Sequence, residues 1–243
     1  MKMRTLLLAA LCMCITLHNV LAVEFSLGGG GLMGYTFTRY TLEGGDVRSI
    51  QNMDRLDYAG FVFFDVTYAE FSVMLKGGNN TYSENMIKSE ESVADSTGTG
   101  REASLGFSLL GKYPFAINGQ CTLFPIFGVE YQMALMQMRR PDSDGLVYDR
   151  TKGHWPEDRD KNENPYPLSA WNSLWINIGA GLDYTVTGPL FLRGELLFGF
   201  RLPTNYEASA LEVVKNPPMN VSDPKLAGLT GSPNLRLAVG YRR

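Results

Sequence analysis

Residues 190–202, Leu-Phe-Leu-Arg-Gly-Glu-Leu-Leu-Phe-Gly-Phe-Arg-Leu, alternate two kinds of side chain almost without a lapse. The even positions are all leucine or phenylalanine apart from Gly194, whereas the odd positions include Arg193, Glu195 and Arg201. Successive side chains leave a pleated backbone on opposite faces, so a period of two predicts a β-strand. This strand has one apolar face and one face that mixes charge, glycine and a few apolar residues.

The same alternation recurs along the chain and predicts eight strands in all. The other seven predicted strands cover residues 24–40, 56–67, 70–76, 101–113, 120–138, 171–186 and 234–243. Pro125 cannot donate to a strand ladder, so we expect it near a strand end or a bulge.

The links between these strands alternate between short and long. Short links lie near Tyr68, at 114–119 and at 187–189, while the long links are 43–55, 77–100, 139–169 and 203–233. In an up-and-down barrel all the long links then lie at one end, which is the arrangement of outer-membrane barrels with short periplasmic turns and long external loops. The predicted fold is therefore all-β: an eight-stranded antiparallel up-and-down transmembrane β-barrel.

A secreted lipocalin-like barrel is the alternative, with its apolar face inside and its polar face in water. The polar face is rich in glycine, for example Gly28, Gly30, Gly128, Gly179 and Gly181. Glycine weakens a strand that faces solvent, but it suits a narrow interior that must hold long charged side chains. The pattern therefore favours lipid outside and a polar interior.

The first 22 residues predict a cleaved secretory signal. Lys2 and Arg4 precede an apolar run, and Val20 and Ala22 supply the small residues of a cleavage site. Cleavage leaves residues 23–243 as one barrel domain with a single cysteine, Cys121, and hence no intramolecular disulfide. A net charge of -3 does not argue for nucleic acid as a partner. We expect location in a bacterial outer membrane after export.

Residues 176–184 (Ile-Asn-Ile-Gly-Ala-Gly-Leu-Asp-Tyr) and 188–196 (Gly-Pro-Leu-Phe-Leu-Arg-Gly-Glu-Leu) resemble small bacterial outer-membrane proteins of the OmpW, OmpX and OmpA-barrel type. The resemblance covers the predicted barrel in topology, and its motifs are generic to that class. It implies outer-membrane lipid and the barrel-assembly machinery as partners. These families usually end in an aromatic residue that the machinery reads, whereas here Tyr241 keeps the spacing and Arg243 stands last.

Strand parity predicts which side chains face the lumen. Because buried charges are normally paired, we expect these acids and bases to form a network that fills the interior. The charged candidates are Asp65, Glu70, Lys76, Glu102, Lys112, Glu130, Asp183, Arg193, Glu195, Arg201 and Arg236. The apolar lumen candidates are Phe61, Phe63, Trp175 and Leu197.

Two functional hypotheses follow, and they belong to different classes. The resemblance to OmpW-like barrels implies a narrow channel for small, partly hydrophobic solutes, with which the apolar lumen candidates are compatible. The alternative is a structural, surface-binding barrel with a plugged lumen, whose loop 139–169 contacts a host or surface ligand through its mixed charges and aromatics.

An enzyme is not expected, since His154 is the one histidine after the signal segment and a lone loop histidine is seldom catalytic. Residues 29–34 match GxGxxG, but no helix follows them, so dinucleotide binding is not expected either. No cofactor or metal site is predicted.

Overall fold

The computed structural model describes residues 24–44, 47–88, 91–141, 168–202 and 225–243. Its strands are β1 (Phe25–Gly44), β2 (Val47–Val66), β3 (Ala69–Lys88), β4 (Glu91–Lys112), β5 (Phe115–Ala116), β6 (Cys121–Pro141), β7 (Ser173–Thr187), β8 (Leu190–Arg201) and β9 (Lys225–Arg242). A short 3-10 helix, Leu168–Trp171, precedes β7.

Eight of these strands close into a ring in which every neighbouring pair is antiparallel. The order β4-β3-β2-β1-β9-β8-β7-β6 is closed by the pairing of β4 with β6, and the two-residue β5 only extends the edge of β6. The predicted eight-stranded up-and-down barrel is therefore confirmed.

The strands are strongly staggered around the ring. Following register partners from Phe191 on β8 through β9, β1, β2, β3, β4, β6 and β7 returns to β8 at Arg201, ten residues further along. A stagger of this kind requires strands that are tilted against the barrel axis. Each register row thus climbs from one end of the barrel towards the other as it passes around.

The outward face of the ring is a continuous apolar band. Leu27 is 61% exposed and Leu196 is 66% exposed, and most other large apolar side chains on this face are exposed as well. On β1 the band runs from Phe25 to Phe37 and ends at Arg39, the first charged outward residue. Exposure of this kind is costly in water and is expected where lipid surrounds a barrel, so the chain is a transmembrane barrel of the outer-membrane type.

Among the residues that the structure describes, no helix has both the length and the apolar character needed to cross a membrane.

The two ends of the barrel differ. The turn end holds the links at 67–68, 113–120 and 188–189, together with the first residue of β1 and the last of β9. Gly188, in the two-residue loop between β7 and β8, has a φ angle of +51°. This left-handed conformation is common in two-residue hairpin loops and favours glycine. The opposite end is called the projecting end, because β1 to β4 are 20–22 residues long and a spanning strand needs about 9–11.

Two of the predicted long loops are wrong, and a third is too long. Most of 43–55 and 77–100 is strand, since β2 begins at Val47, β3 continues to Lys88 and β4 begins at Glu91; the loop 203–233 gives way to β9 at Lys225. Beyond the apolar band both faces of a strand are polar, so the alternation in hydrophobicity disappears although the backbone ladder continues.

Pro125 lies near the start of β6, as predicted. It is the fifth residue of the strand, and the pairing of β6 with β4 begins only at the next residue, Ile126. The predicted signal segment 1–22, most of the predicted loop 139–169 and His154 lie outside the described residues.

Candidate functional site

The charged residues predicted to face the lumen have little solvent exposure. Glu102 and Arg201 are half-buried, and the other nine are buried: Asp65, Glu70, Lys76, Lys112, Glu130, Asp183, Arg193, Glu195 and Arg236. The structure divides most of them between two clusters. We call them the turn-end cluster, which consists of Asp65, Glu70, Lys112, Asp183, Arg193, Glu195, Arg236 and Arg242, and the outer cluster, which consists of Arg55, Asp57, Lys76 and Glu102.

Arg193 is the centre of the turn-end cluster. Its Nε donates to Asp183 Oδ1 at 2.7 Å, one terminal nitrogen donates to Glu70 Oε2 at 2.8 Å, and the other donates to Asp65 Oδ2 at 2.8 Å. In the ring β8 and β3 are opposite each other, so the contact between Arg193 and Glu70 crosses the full width of the lumen. A planar guanidinium with five donors suits such a junction, because it can serve three carboxylates at once.

Three more cations complete this cluster. Arg236 lies 3.0 Å from Glu70 and 2.9 Å from Glu195, and Lys112 Nζ lies 3.4 Å from Glu70. Arg242 donates to Asp183 Oδ2 at 2.7 Å. The cluster thus holds four acids and four bases, and these side chains come from β2, β3, β4, β7, β8 and β9.

Aromatic rings pack around the same charges. The Arg193 guanidinium lies 4.7 Å from the centre of the Phe63 ring and 5.1 Å from that of Phe191, while the Arg236 guanidinium lies 4.1 Å above the Phe61 ring. Cations over aromatic faces gain electrostatic attraction in a site that water does not reach.

Glycines make the space for these rings. A Cβ added at Gly240 would collide with the Phe191 ring, and a Cβ added at Gly181 would collide with the Phe124 ring. At these two positions glycine therefore leaves room for a large aromatic side chain from a neighbouring strand.

The outer cluster includes two residues that the sequence analysis missed. Arg55 pairs with Asp57 and with Glu102, Lys76 Nζ lies 3.5 Å from Asp57, and Asn80 donates to Glu102 at 2.8 Å. Arg55 and Asp57 share the parity of Asp65, so extending the period of two along β2 would have found them. Arg55 falls in the predicted loop 43–55, whereas Asp57 lies inside the predicted strand 56–67 with inward parity and was not among the candidates.

Glu130 and Arg201 lie apart from both clusters. Glu130 accepts hydrogen bonds from the amides of Gln132 and Asn177, and within the described part of the chain no cation lies within ion-pair distance of it. Arg201 donates to the Tyr40 hydroxyl at 3.2 Å. Among the described side chains the expected ion-pair network therefore does not extend to Glu130.

The apolar lumen candidates are buried but separated. Phe61 and Phe63 pack with Leu32, Met74, Phe191 and Ala238, whereas Leu197 packs with Leu110, Phe124 and Ile126. Trp175 is also buried, and Lys76 lies above its ring at 5.4 Å. Phe61 and Phe63 thus belong to one packed cluster and Leu197 to another, while Trp175 lies outside both.

Across the described ranges, no three His, Cys, Asp or Glu side chains are grouped so that they could hold a metal ion.

No family model matches the chain, and no curated protein matches it in sequence. Among solved structures it is similar to OprG from Pseudomonas aeruginosa (9% identity, 91% of this chain and 96% of that one, TM-score 0.41) and to the N-terminal β-barrel domain of OprF from the same organism (13%, 89% and 99%, 0.35). It is also similar to Ail, the attachment invasion locus protein of Yersinia pestis, solved with the heparin analogue sucrose octasulfate (12%, 92% and 100%, 0.28).

Sequence identities of 9–13% are informative about the fold alone. Because the TM-scores are below 0.5, we assign the fold from the closed ring of eight strands in this structure. The predicted resemblance to small outer-membrane barrels is confirmed at that level.

Proposed function

We propose that the protein is a closed, non-conducting outer-membrane barrel that anchors a surface-exposed, stranded platform for binding. One observation carries the first part: the contact between Arg193 and Glu70 crosses the lumen within a cluster of eight charges. Buried aromatic rings lie against these charges, as Phe63 and Phe191 do against Arg193.

The turn-end cluster and the aromatic rings around it are called the plug below. The free-energy cost of breaking buried ion pairs favours a plug that stays in place. Taking one partner out of a buried ion pair costs about 3–5 kcal/mol, because the other charge is left without compensation. A water-filled path past Arg193 would separate it from three carboxylates together. An eight-stranded barrel is also only just wide enough to hold its own side chains.

The second part of the proposal rests on the projecting end. Strands β1 to β4 are about twice as long as a membrane crossing requires, and beyond the apolar band their outward residues are polar, such as Asn52, Thr81 and Thr99. Paired strands hold such a surface in one shape, which lowers the entropic cost of binding a partner.

Planar-bilayer recordings test the plug. The wild-type barrel should give no current steps above those of a bare membrane. Glu70→Ala combined with Arg193→Ala removes one acid and one base from the centre of the lumen and should open a conducting path. The matched control is Arg39→Ala with Asp54→Ala, which removes the same charges from an exposed pair on the outer face and should stay closed.

A conducting wild-type barrel would overturn the plug and favour the narrow channel. So would uptake of a small apolar dye into liposomes above the level of empty vesicles, since the channel hypothesis predicts that uptake. A double variant that still shows the migration shift of a folded barrel on detergent gels, yet stays closed, would show that other residues close the lumen.

Shortening one hairpin tests the platform separately. Thr81 pairs with Thr99, so replacing residues 82–98 with Asn-Gly removes the tip of the β3–β4 hairpin and retains the register below it. Bacteria that display the shortened protein should lose adhesion to a surface coated with extracellular matrix. Unchanged adhesion would overturn the platform and leave the plug standing.

A further inference from the structure

A groove of about 540 Å³ lies on β1 to β4, and most of the side chains that line it face outward. Arg55 and Asn80, which belong to the lumen side and pair with Glu102, also line it. The strand register assembles it: Tyr35 pairs with Leu56, Leu56 with Asn79 and Asn79 with Arg101, so these four outward side chains lie side by side on adjacent strands. The next outward row towards the projecting end contributes Asp54 and Thr81.

This groove follows the upper edge of the apolar band. Asp54 is the first polar outward residue above Leu56 on β2, and Arg101 is the first polar outward residue above Ala103 and Leu105 on β4. On β3 Asn79 has the same position, with Gly77 and then Leu75 towards the turn end. The groove therefore lies where the acyl region of a membrane gives way to its headgroups.

The charges in the groove leave one cation in excess. Asp54 is already neutralised, because Arg39 and the Tyr35 hydroxyl both donate to its Oδ1 at 2.7 Å. Arg101 is exposed, and no carboxylate among the described side chains pairs with it. Its guanidinium is thus available for an anion from outside the protein.

The neutral groups define the rest of the site. Asn79 and Thr81 are exposed beside Arg101 and offer an amide and a hydroxyl, which suit the hydroxyl groups of a sugar. Leu56 and Tyr58 lie exposed just below and suit an acyl chain. A guanidinium is the side chain best matched to a phosphate, since it can donate two parallel hydrogen bonds.

We propose that this groove binds the phosphorylated sugar headgroup of a glycolipid in the outer leaflet, with Arg101 on the phosphate and Asn79 and Thr81 on the sugar. The three side chains proposed to bind the ligand face outward, so the proposal holds whether or not the lumen conducts. Among the described outward arginines of β1 to β4, Arg39 and Arg48 are ion-paired and Arg101 is not, and Arg101 lies directly above the apolar band.

Native mass spectrometry of the barrel in phosphatidylcholine nanodiscs tests the site. The probes are diphosphorylated lipid A, its dephosphorylated form, phosphatidylglycerol and inorganic phosphate. Wild type should retain diphosphorylated lipid A, and Arg101→Gln should lower that affinity at least five-fold. Asp54→Asn, which removes the one acid of the groove, should raise the affinity or leave it unchanged.

Arg48→Gln is the matched control. It removes the same charge from the same outward face, but further from the membrane, where Arg48 pairs with Glu43. Equal binding by wild type and Arg101→Gln, or an equal loss with Arg48→Gln, would overturn the site. Equal retention of phosphatidylglycerol or of dephosphorylated lipid A would overturn the glycolipid assignment, and competition by millimolar inorganic phosphate would assign the site to free phosphate.

Discussion

At the turn end of the lumen Arg193 contacts three carboxylates, whereas at the projecting end Thr38 and Thr230 meet hydroxyl to hydroxyl at 3.0 Å. The contact between Arg193 and Glu70 joins β8 to β3, and the contact between Thr38 and Thr230 joins β1 to β9. The side chains of both contacts lie in the same narrow interior. The turn-end cluster lies within the apolar band and consists of long charged side chains that pack against aromatic rings. The projecting end lies beyond the band and uses short hydroxyl side chains.

Solvation accounts for this difference. Burial inside the band removes most of a charge's solvation, and each acid of the turn-end cluster has a cation within ion-pair distance. Glu130, which is also buried there, accepts hydrogen bonds from two side-chain amides instead. Thr38 and Thr230 are buried as well, but a neutral hydroxyl pair satisfies its own hydrogen bond and needs no countercharge. The stability of the barrel should accordingly depend much more on the turn end than on the projecting end.

The largest expected effect is at the centre of the turn-end cluster. Arg193→Ala leaves Asp65, Glu70 and Asp183 short of a cation inside the band, so the free energy of unfolding should fall by about 3–5 kcal/mol. Urea unfolding in micelles, followed by tryptophan fluorescence, measures this loss. A loss below that of Arg39→Ala, which removes an exposed surface arginine, would contradict the comparison.

Arg55 in the outer cluster should matter less. Arg55→Ala removes hydrogen bonds to Asp57 and Glu102 near the edge of the band, so we expect a loss of about 1.5–3 kcal/mol. The same urea titration gives the value. If Arg55→Ala costs as much as Arg193→Ala, the edge of the band is as dry as its centre, and the solvation argument fails.

The smallest effect should come from the hydroxyl pair. Thr38→Ala removes one hydrogen bond to Thr230, and its expected cost is about 0.5–1.5 kcal/mol. Thr38→Val retains the shape and removes only the hydroxyl, which makes it the matched control for packing. A loss with Thr38→Val that equals the loss with Arg193→Ala would show that hydrogen bonds at the projecting end are as costly to break as the ion pairs.

Strand parity was sufficient to place the inward charges. Asp183, Arg193 and Glu195 alternate with leucine and tyrosine, and the structure buries all three. The same parity applies to Asp57 inside the predicted strand 56–67, but it does not reach Arg55, because the residues before Arg55 have no apolar face that would reveal the alternation. Parity made Phe61 and Leu197 lumen candidates, but it could not show that they belong to two separate packed clusters.

The sequence by itself determined the strands that cross the band, their two faces and the closed barrel. Lipid outside and a narrow interior require apolar and polar residues to alternate with a period of two, and this alternation can be seen in the sequence of each strand. Only the tertiary structure decided which charges meet. Glu70 and Arg193 are 123 residues apart and face each other across the lumen, and this partnership depends on the stagger of the ring. Stagger is a property of all eight strands together, so no single stretch of sequence encodes it.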